Sequence, residues 1–188
     1  LGVGNRSMLL GSEIQNPVCK EDSIKLTFKA TNLDGQPVSV EGNYKLYPVV
    51  GGAKSEEVMK GTPAYTGTFV SNKETLLPGW TSVPSGEYLL VMSAKDDQGR
   101  EVTGEEEVIL FSIKDKRPPV DKAIWYYAEN TSFDAAHPAV FYFGTSKKDA
   151  YVMMNLFSGN RMLESKVLRL SDSIERFEYP YKESYGNG

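Results

Sequence analysis

A single cysteine, Cys19, and a single histidine, His137, are the scarcest reactive side chains in this chain of 188 residues, and their scarcity removes whole classes of chemistry. One thiol cannot close an internal disulfide, so the cysteine count leaves the redox compartment open. One imidazole without cysteine or carboxylate companions at ligand spacing does not make a zinc site. His137, lying in Ala135-Ala-His-Pro-Ala, reads as a loop or strand-entry residue. Basic charge is also short. Lys and Arg number 21 against 25 Asp and Glu, the net charge is -4, and no basic block exceeds a pair. The electrostatic footprint of a nucleic-acid binder is therefore missing. No stretch approaches the roughly 18 apolar residues of a membrane-spanning helix, so direct membrane insertion is not expected.

Other signatures are missing as well. There is no Gly-x-Ser-x-Gly elbow for a nucleophilic serine, no βαβ alternation of a nucleotide-binding fold, and no window keeping apolar residues at i, i+3, i+4 and i+7. These absences predict a chain that is not an enzyme, with no catalytic, cofactor-binding or metal-binding residues and no cofactor.

What is present is turn and strand chemistry: 17 Gly, 10 Pro and 11 Tyr, the composition of an all-β chain. Ile24, Leu26, Phe28 and Ala30 alternate with Lys25, Thr27, Lys29 and Thr31, the period of a strand with one wet and one buried face. Asn32-Leu-Asp-Gly-Gln-Pro turns the chain, and Val38, Val40, Tyr44 and Leu46 return as a hairpin or as a crossing between sheets, with Gly42 marking a bulge. Residues 6–14 form an earlier strand that stops at Asn16-Pro17. Residues 48–63 form a long loop with one helical turn. Weaker strands over 65–69 and 74–77 lead to Trp80 and Tyr88, which read as large aromatics closing a sandwich core. Strands over 88–94 and 108–113 flank a turn at Asp96-Asp-Gln-Gly-Arg100.

The pattern then restarts. Residues 1–115 read as one β-sandwich and 116–122 as a stiff linker carrying Pro118 and Pro119, which limits swing and packs Ile124-Trp125 near the first module. Residues 123–188 read as a second sandwich with strands at 124–127, 140–144, 150–157, 162–170 and 174–181. Five strands fall short of the roughly seven of an immunoglobulin-like domain, so the second sandwich is expected to be incomplete and to continue for at least two more strands.

Carboxylates cluster at Asp96-Asp97, Glu105-Glu106-Glu107 and Asp115. Such oxygens could hold calcium between modules. The simpler expectations are a hairpin turn at Asp96 and a strand start guarded against stray pairing at Glu105. Tyr126, Tyr127, Phe141, Tyr142 and Phe143 could offer a glycan-stacking platform, but their alternation favours a core. Asn5-Arg-Ser and Asn130-Thr-Ser match the glycosylation sequon, a pattern frequent by chance.

Leu33-Asp-Gly-Gln-Pro-Val, Pro84-Ser-Gly-Glu-Tyr, Ala94-Lys-Asp-Asp-Gln-Gly-Arg-Glu-Val and Lys114-Asp-Lys-Arg-Pro-Pro, in that order, resemble the macroglobulin domains of bacterial alpha-2-macroglobulin family proteins. Ser146-Lys-Lys-Asp-Ala-Tyr-Val and Phe177-Glu-Tyr-Pro-Tyr-Lys-Glu-Ser-Tyr-Gly-Asn-Gly resemble the next domain, particularly in Bacteroidetes. The resemblance spans nearly the whole chain. It implies two immunoglobulin- or fibronectin III-like macroglobulin sandwiches in tandem, the second truncated, forming a non-catalytic scaffold segment of a protease-trapping endopeptidase inhibitor. It implies as partners the neighbouring domains of the same polypeptide, with proteases met through the full-length protein. It also implies a secreted or outer-membrane-anchored protein of the periplasm or cell surface, with its signal outside this chain. The family's thioester is not here: Cys19-Lys-Glu-Asp22 has Asp where the acyl-donating Gln must be, so Cys19 reads as a structural or incidental free thiol. The alternative is an adhesive or carbohydrate-binding pair of fibronectin-like modules from a bacterial surface protein.

Overall fold

The computed structural model describes residues 7–51, 53–130, 134 and 136–183. The Asn5 sequon, the Thr131 and Ser132 positions of the second sequon, the expected strand start at Arg6, Gly52, Ala135 and the motif residues 184–188 lie outside the described residues. The chain is all-β apart from single helical turns, and it divides into two units, Leu1–Ile113 and Lys114–Gly188.

The first unit is an immunoglobulin-like sandwich. Its strands are β1 (Met8–Glu13), β2 (Val18–Cys19), β3 (Lys25–Asn32), β4 (Glu41–Pro48), β5 (Tyr65–Val70), β6 (Glu74–Leu76), β7 (Gly86–Lys95) and β8 (Glu101–Phe111). One sheet runs β1-β3-β6 and the other β2-β8-β7-β4-β5. All pairings are antiparallel except β2 on β8, which is parallel. The segment after Ala30 is therefore the crossing between sheets, because β3 and β4 pair with different partners. The same happens earlier. The chain leaves β1 in one sheet, passes the cis Asn16–Pro17 bond, and joins the other sheet as β2. That two-residue strand had no sequence signal.

Alternation sets the core. Leu26, Phe28 and Ala30 point inward from β3 and meet Tyr44, Leu46, Leu90, Met92, Val108 and Leu110 from the facing sheet. Phe28 stacks on Tyr44 with ring centres 5.1 Å apart and on Phe69 at 4.3 Å. Trp80, fully buried in the 3-10 turn Pro78–Ser82, meets the Tyr44 ring edge-on at 6.1 Å. Such aromatic pairs add to simple area burial. Tyr88 is buried near the start of β7 and its hydroxyl donates to the Pro84 carbonyl at 2.8 Å, the same tie that a tyrosine corner makes in immunoglobulin-like folds. The expected helical turn is α1, Ser55–Val58, and its Val58 covers Tyr47 and Leu89 on the outer side of the five-stranded sheet.

Two expectations need correcting. Gly42 is not a bulge, since β4 keeps continuous register with β5 through it and its ladder with β7 begins at it. A Cβ there would overlap the Phe69 ring and come within 2.5 Å of the Ser93 carbonyl oxygen, so glycine is needed for close approach rather than for a bend. Nor do Glu105–Glu107 begin a strand. They lie in the middle of β8, which starts at Glu101.

The second unit contains β9 (Trp125–Ala128), β10 (Ala139–Thr145), β11 (Ala150–Ser158), β12 (Arg161–Leu170) and β13 (Ser173–Tyr179). One sheet runs β13-β10-β9, and β11 and β12 form a hairpin. Trp125, Tyr127, Val140, Tyr142, Thr145 and Leu170 are buried, with Val120. Residues 116–122, the segment expected to join the modules, hydrogen-bond within this unit: the Lys116 carbonyl accepts from Ile174 N–H and the Lys122 carbonyl from Ser146 N–H, both at 3.0 Å. The aromatic set divides. Tyr127 and Tyr142 are core, Phe141 is half-buried and stacks on Phe177 at 5.3 Å and Tyr179 at 5.9 Å, and Tyr126 is 70% exposed.

Candidate functional site

The polar groups able to do chemistry in the first unit converge along β8. Over Glu101–Ile109 this strand pairs with β7, and its other backbone edge meets β2 only from Leu110 onward. Side chains bridge the interval. Because Val102, Val108 and Leu110 face the core, the in-phase Glu106 also points inward, whereas Glu105 and Glu107 are exposed. The Glu106 carboxylate accepts the Ser12 backbone N–H at 2.5 Å and the Ser12 hydroxyl as well. Gly104 lets β1 come this near: a Cβ there would sit 2.5 Å from the Leu10 carbonyl oxygen.

One turn of chain later, the Asn16 amide does the work of a strand residue. Its Nδ2 donates to the Glu107 carbonyl at 3.1 Å and its Oδ1 accepts Ile109 N–H at 2.9 Å. Beyond β2, Glu21 accepts the Ser112 hydroxyl at 2.5 Å and Ile113 N–H at 3.1 Å. Burial pushes the Glu21 carboxyl up, but these donors and the Cys19 thiol together hold it below its ordinary range. Glu106, Asn16 and Glu21 thus tie the segment that changes sheets to β8 and the two residues that follow it, satisfying groups that an unpaired edge would expose.

Asp96 completes the opposite end of the same strand pair. Its carboxylate accepts Gln98 N–H, Arg100 N–H and Arg100 Nε–H, each at 2.9 Å, and the Ser7 hydroxyl at 2.7 Å. The Ser7 bond above all, with the backbone and Arg100 donors, outweighs desolvation and lowers the acid to about 2. The hairpin turn expected at Asp96 is present, between β7 and β8.

The remaining candidates are dispersed. Cys19 is buried, 3.5 Å from Glu21 Oε2, and burial pushes its thiol up to about 11. His137 is exposed in a turn with Nδ1 3.0 Å from Asp134 Oδ1. Asp134 also accepts Ala136 and His137 N–H, and these backbone bonds, Ala136 first, lower its carboxyl. Among the described residues no three His, Cys, Asp or Glu side chains are grouped closely enough to hold a metal ion. A groove of about 740 Å³ opens beside β4, β5 and β6, and its charged side chains Glu41, Lys73 and Glu74 are all exposed. No described helix is long and apolar enough to cross a membrane.

One surface escaped the sequence reading. On β11 the outward phase carries Tyr151, Met153 and Phe157, and on β12 it carries Val167 and Met162, each more than half exposed. The signal was in the sequence: both phases of 150–157 are apolar, whereas 24–31 has one wet phase.

No protein-family model matches the chain, and no curated protein matches it. Among solved structures it is similar to native alpha-2-macroglobulin of E. coli, seen by cryo-electron microscopy, at 14% sequence identity and a TM-score of 0.40. That similarity covers 93% of this chain and 14% of the E. coli protein.

Proposed function

We propose that this chain is a non-catalytic scaffold segment of an alpha-2-macroglobulin-like, protease-trapping protein of the bacterial envelope. Its partners are the neighbouring domains of its own polypeptide, and it meets proteases only through the whole protein. The observation that supports this reading best is the use of polar side chains in the first unit. Glu106, Asn16, Glu21 and Asp96 have their hydrogen bonds directed at strands and turns. The ordered motifs from Leu33 to Gly188 support the family, and a sandwich tied in this way suits a rigid spacer.

Two measurements test it. The 188-residue chain alone should neither inhibit a panel of endopeptidases nor bind a glycan array. The full-length polypeptide that contains it should change its hydrodynamic radius when a protease cuts it. Inhibition or glycan binding by the chain alone would sink the scaffold reading, the latter in favour of an adhesive module. A full-length protein unaltered in shape by cleavage would remove the trap.

A further inference from the structure

The β11–β12 hairpin turns one face toward β13 and leaves the other bare. On the inner face Met154 Sδ lies 3.8 Å from Tyr179 Oη, and Lys166, directly opposite Met154, places its ammonium 5.8 Å from the Tyr179 ring centre. On the outer face the cross-strand pairs Met153↔Val167 and Phe157↔Met162 follow one another, with Tyr151 at the end. Their exposures are 68%, 64%, 55%, 56% and 71%. Together they present roughly 600 Å² of surface in two apolar stretches separated by the Asn155–Ser165 pair, comparable in total to a monomer's largest apolar patch.

Two polar pairs lie on this face. Between the two apolar pairs, Ser165 donates to Asn155 Oδ1 at 2.7 Å across the ladder. Opposite Tyr151, Arg169 is paired with Asp149 at 2.6 Å. The charge of Arg169 on this face is therefore compensated by Asp149 and does not call for an oppositely charged partner.

We propose that this face is the contact through which two copies of the chain associate, hairpin on hairpin about a twofold axis. A largely apolar surface whose charge is compensated can pack against a second copy of itself, as an isologous contact requires. Two such faces removed from water bury about 1,200 Å², at the threshold of a specific interface. Sheets meet at about 10 Å when side chains of unequal size interdigitate. The pairs Met153/Val167 and Phe157/Met162 supply that inequality.

Sedimentation velocity of the 188-residue chain over the micromolar range tests this, with a weak, concentration-dependent dimer expected. Met153→Lys and Val167→Lys, each burying an ammonium without a partner, should each weaken dimerisation by at least about tenfold. Tyr126→Lys, at an equally exposed aromatic on β9, should leave it unchanged. Hydroxyl-radical footprinting of the unmodified chain supplies a readout that needs no variant: oxidation of Met153 and Met162 should fall severalfold between dilute and concentrated samples, while Leu33 does not change. A chain that stays monomeric, with Met153 and Met162 equally oxidised at all concentrations, overturns the proposal. So does a dimer that survives both lysine variants. Met protection in a larger polypeptide that is itself monomeric would assign the face to another segment of that polypeptide and would equally overturn it.

Discussion

Removing the Glu106 carboxylate should loosen the segment that changes sheets, and the size of the effect follows from its contacts. Glu106 accepts two hydrogen bonds from Ser12, one from the backbone and one from the hydroxyl, and both residues are half-buried. Bonds to a charged acceptor contribute about 1.5–3 kcal/mol each when buried, so at this depth Glu106→Ala should cost about 2–3 kcal/mol for the pair. Glu106→Gln keeps one oxygen for the Ser12 N–H and offers an amide that the hydroxyl can accept from, so about 1 kcal/mol should be lost. The assay is urea unfolding read by one tryptophan. The chain has two, Trp80 in the first unit and Trp125 in the second, both buried. In a Trp125→Phe background the fluorescence change reports the first unit alone, which avoids forcing a two-unit chain into one transition. With a slope of about 2 kcal/mol per M, Glu106→Ala should lower the midpoint by about 1 M and Glu106→Gln by about half that. Adding Ser12→Ala to Glu106→Ala should then lower it little further, because the partner is already gone. A midpoint lowered by less than about 0.3 M in Glu106→Ala, or full additivity of the two substitutions, would refute the argument that this carboxylate holds β1 to β8.

Gly42→Ala should destabilise the same transition by about 2–3 kcal/mol, since its Cβ meets the Phe69 ring and the Ser93 carbonyl in a packed core; an unchanged midpoint would show that β4 can shift aside. Cys19 should be inert to a disulfide reagent at pH 8 in the folded chain and should react fully in urea, because its thiol is buried and pushed up to about 11. Asp96 titrates lower in the folded chain than its ordinary value of 3.8, so its contribution is complete above about pH 4 and is lost as pH falls toward 2. Asp96→Asn should accordingly flatten the acid limb of first-unit stability between those pH values, and an unaltered limb in that variant would place the acid sensitivity elsewhere.

The strands most legible in the sequence were those whose burial follows a clean alternation. Ile24 to Ala30 announced β3 because every second residue is apolar and every other one is Lys or Thr. The five strands of the second unit were legible as apolar and aromatic runs bounded by turn residues, with residues 150–157 matching β11, Ala150–Ser158, although both of its phases are apolar. What the alternation could not carry was pairing. Val18–Cys19 is a strand only because β8 lies beside it, a contact across about ninety residues that no local pattern encodes. The front half of β8 was missed because the Glu run hides its phase: Val102, Gly104, Glu106 and Val108 do alternate, but two of the four are not apolar. Both departures sit at the seam. Gly104 admits the β1 backbone and Glu106 binds it, so the residues that break the strand pattern are those that serve a long-range contact.

Set beside each other, the two long hairpins use one geometry for opposite outward chemistry. In β8 the outward residues are Glu101, Thr103, Glu105 and Glu107, which keep that face in water. In β11 they are Tyr151, Met153, Asn155 and Phe157. An outward strand phase is free to be polar at almost no cost to the fold, since its side chains do not fill the core. Apolar residues kept in that phase on both strands of a hairpin are therefore not required by the sandwich beneath them. Their requirement must come from whatever covers the face. The same logic explains why lysine at Met153 or Val167 should leave folding of the second unit intact while removing association: the substitution alters only the phase that the fold itself does not use.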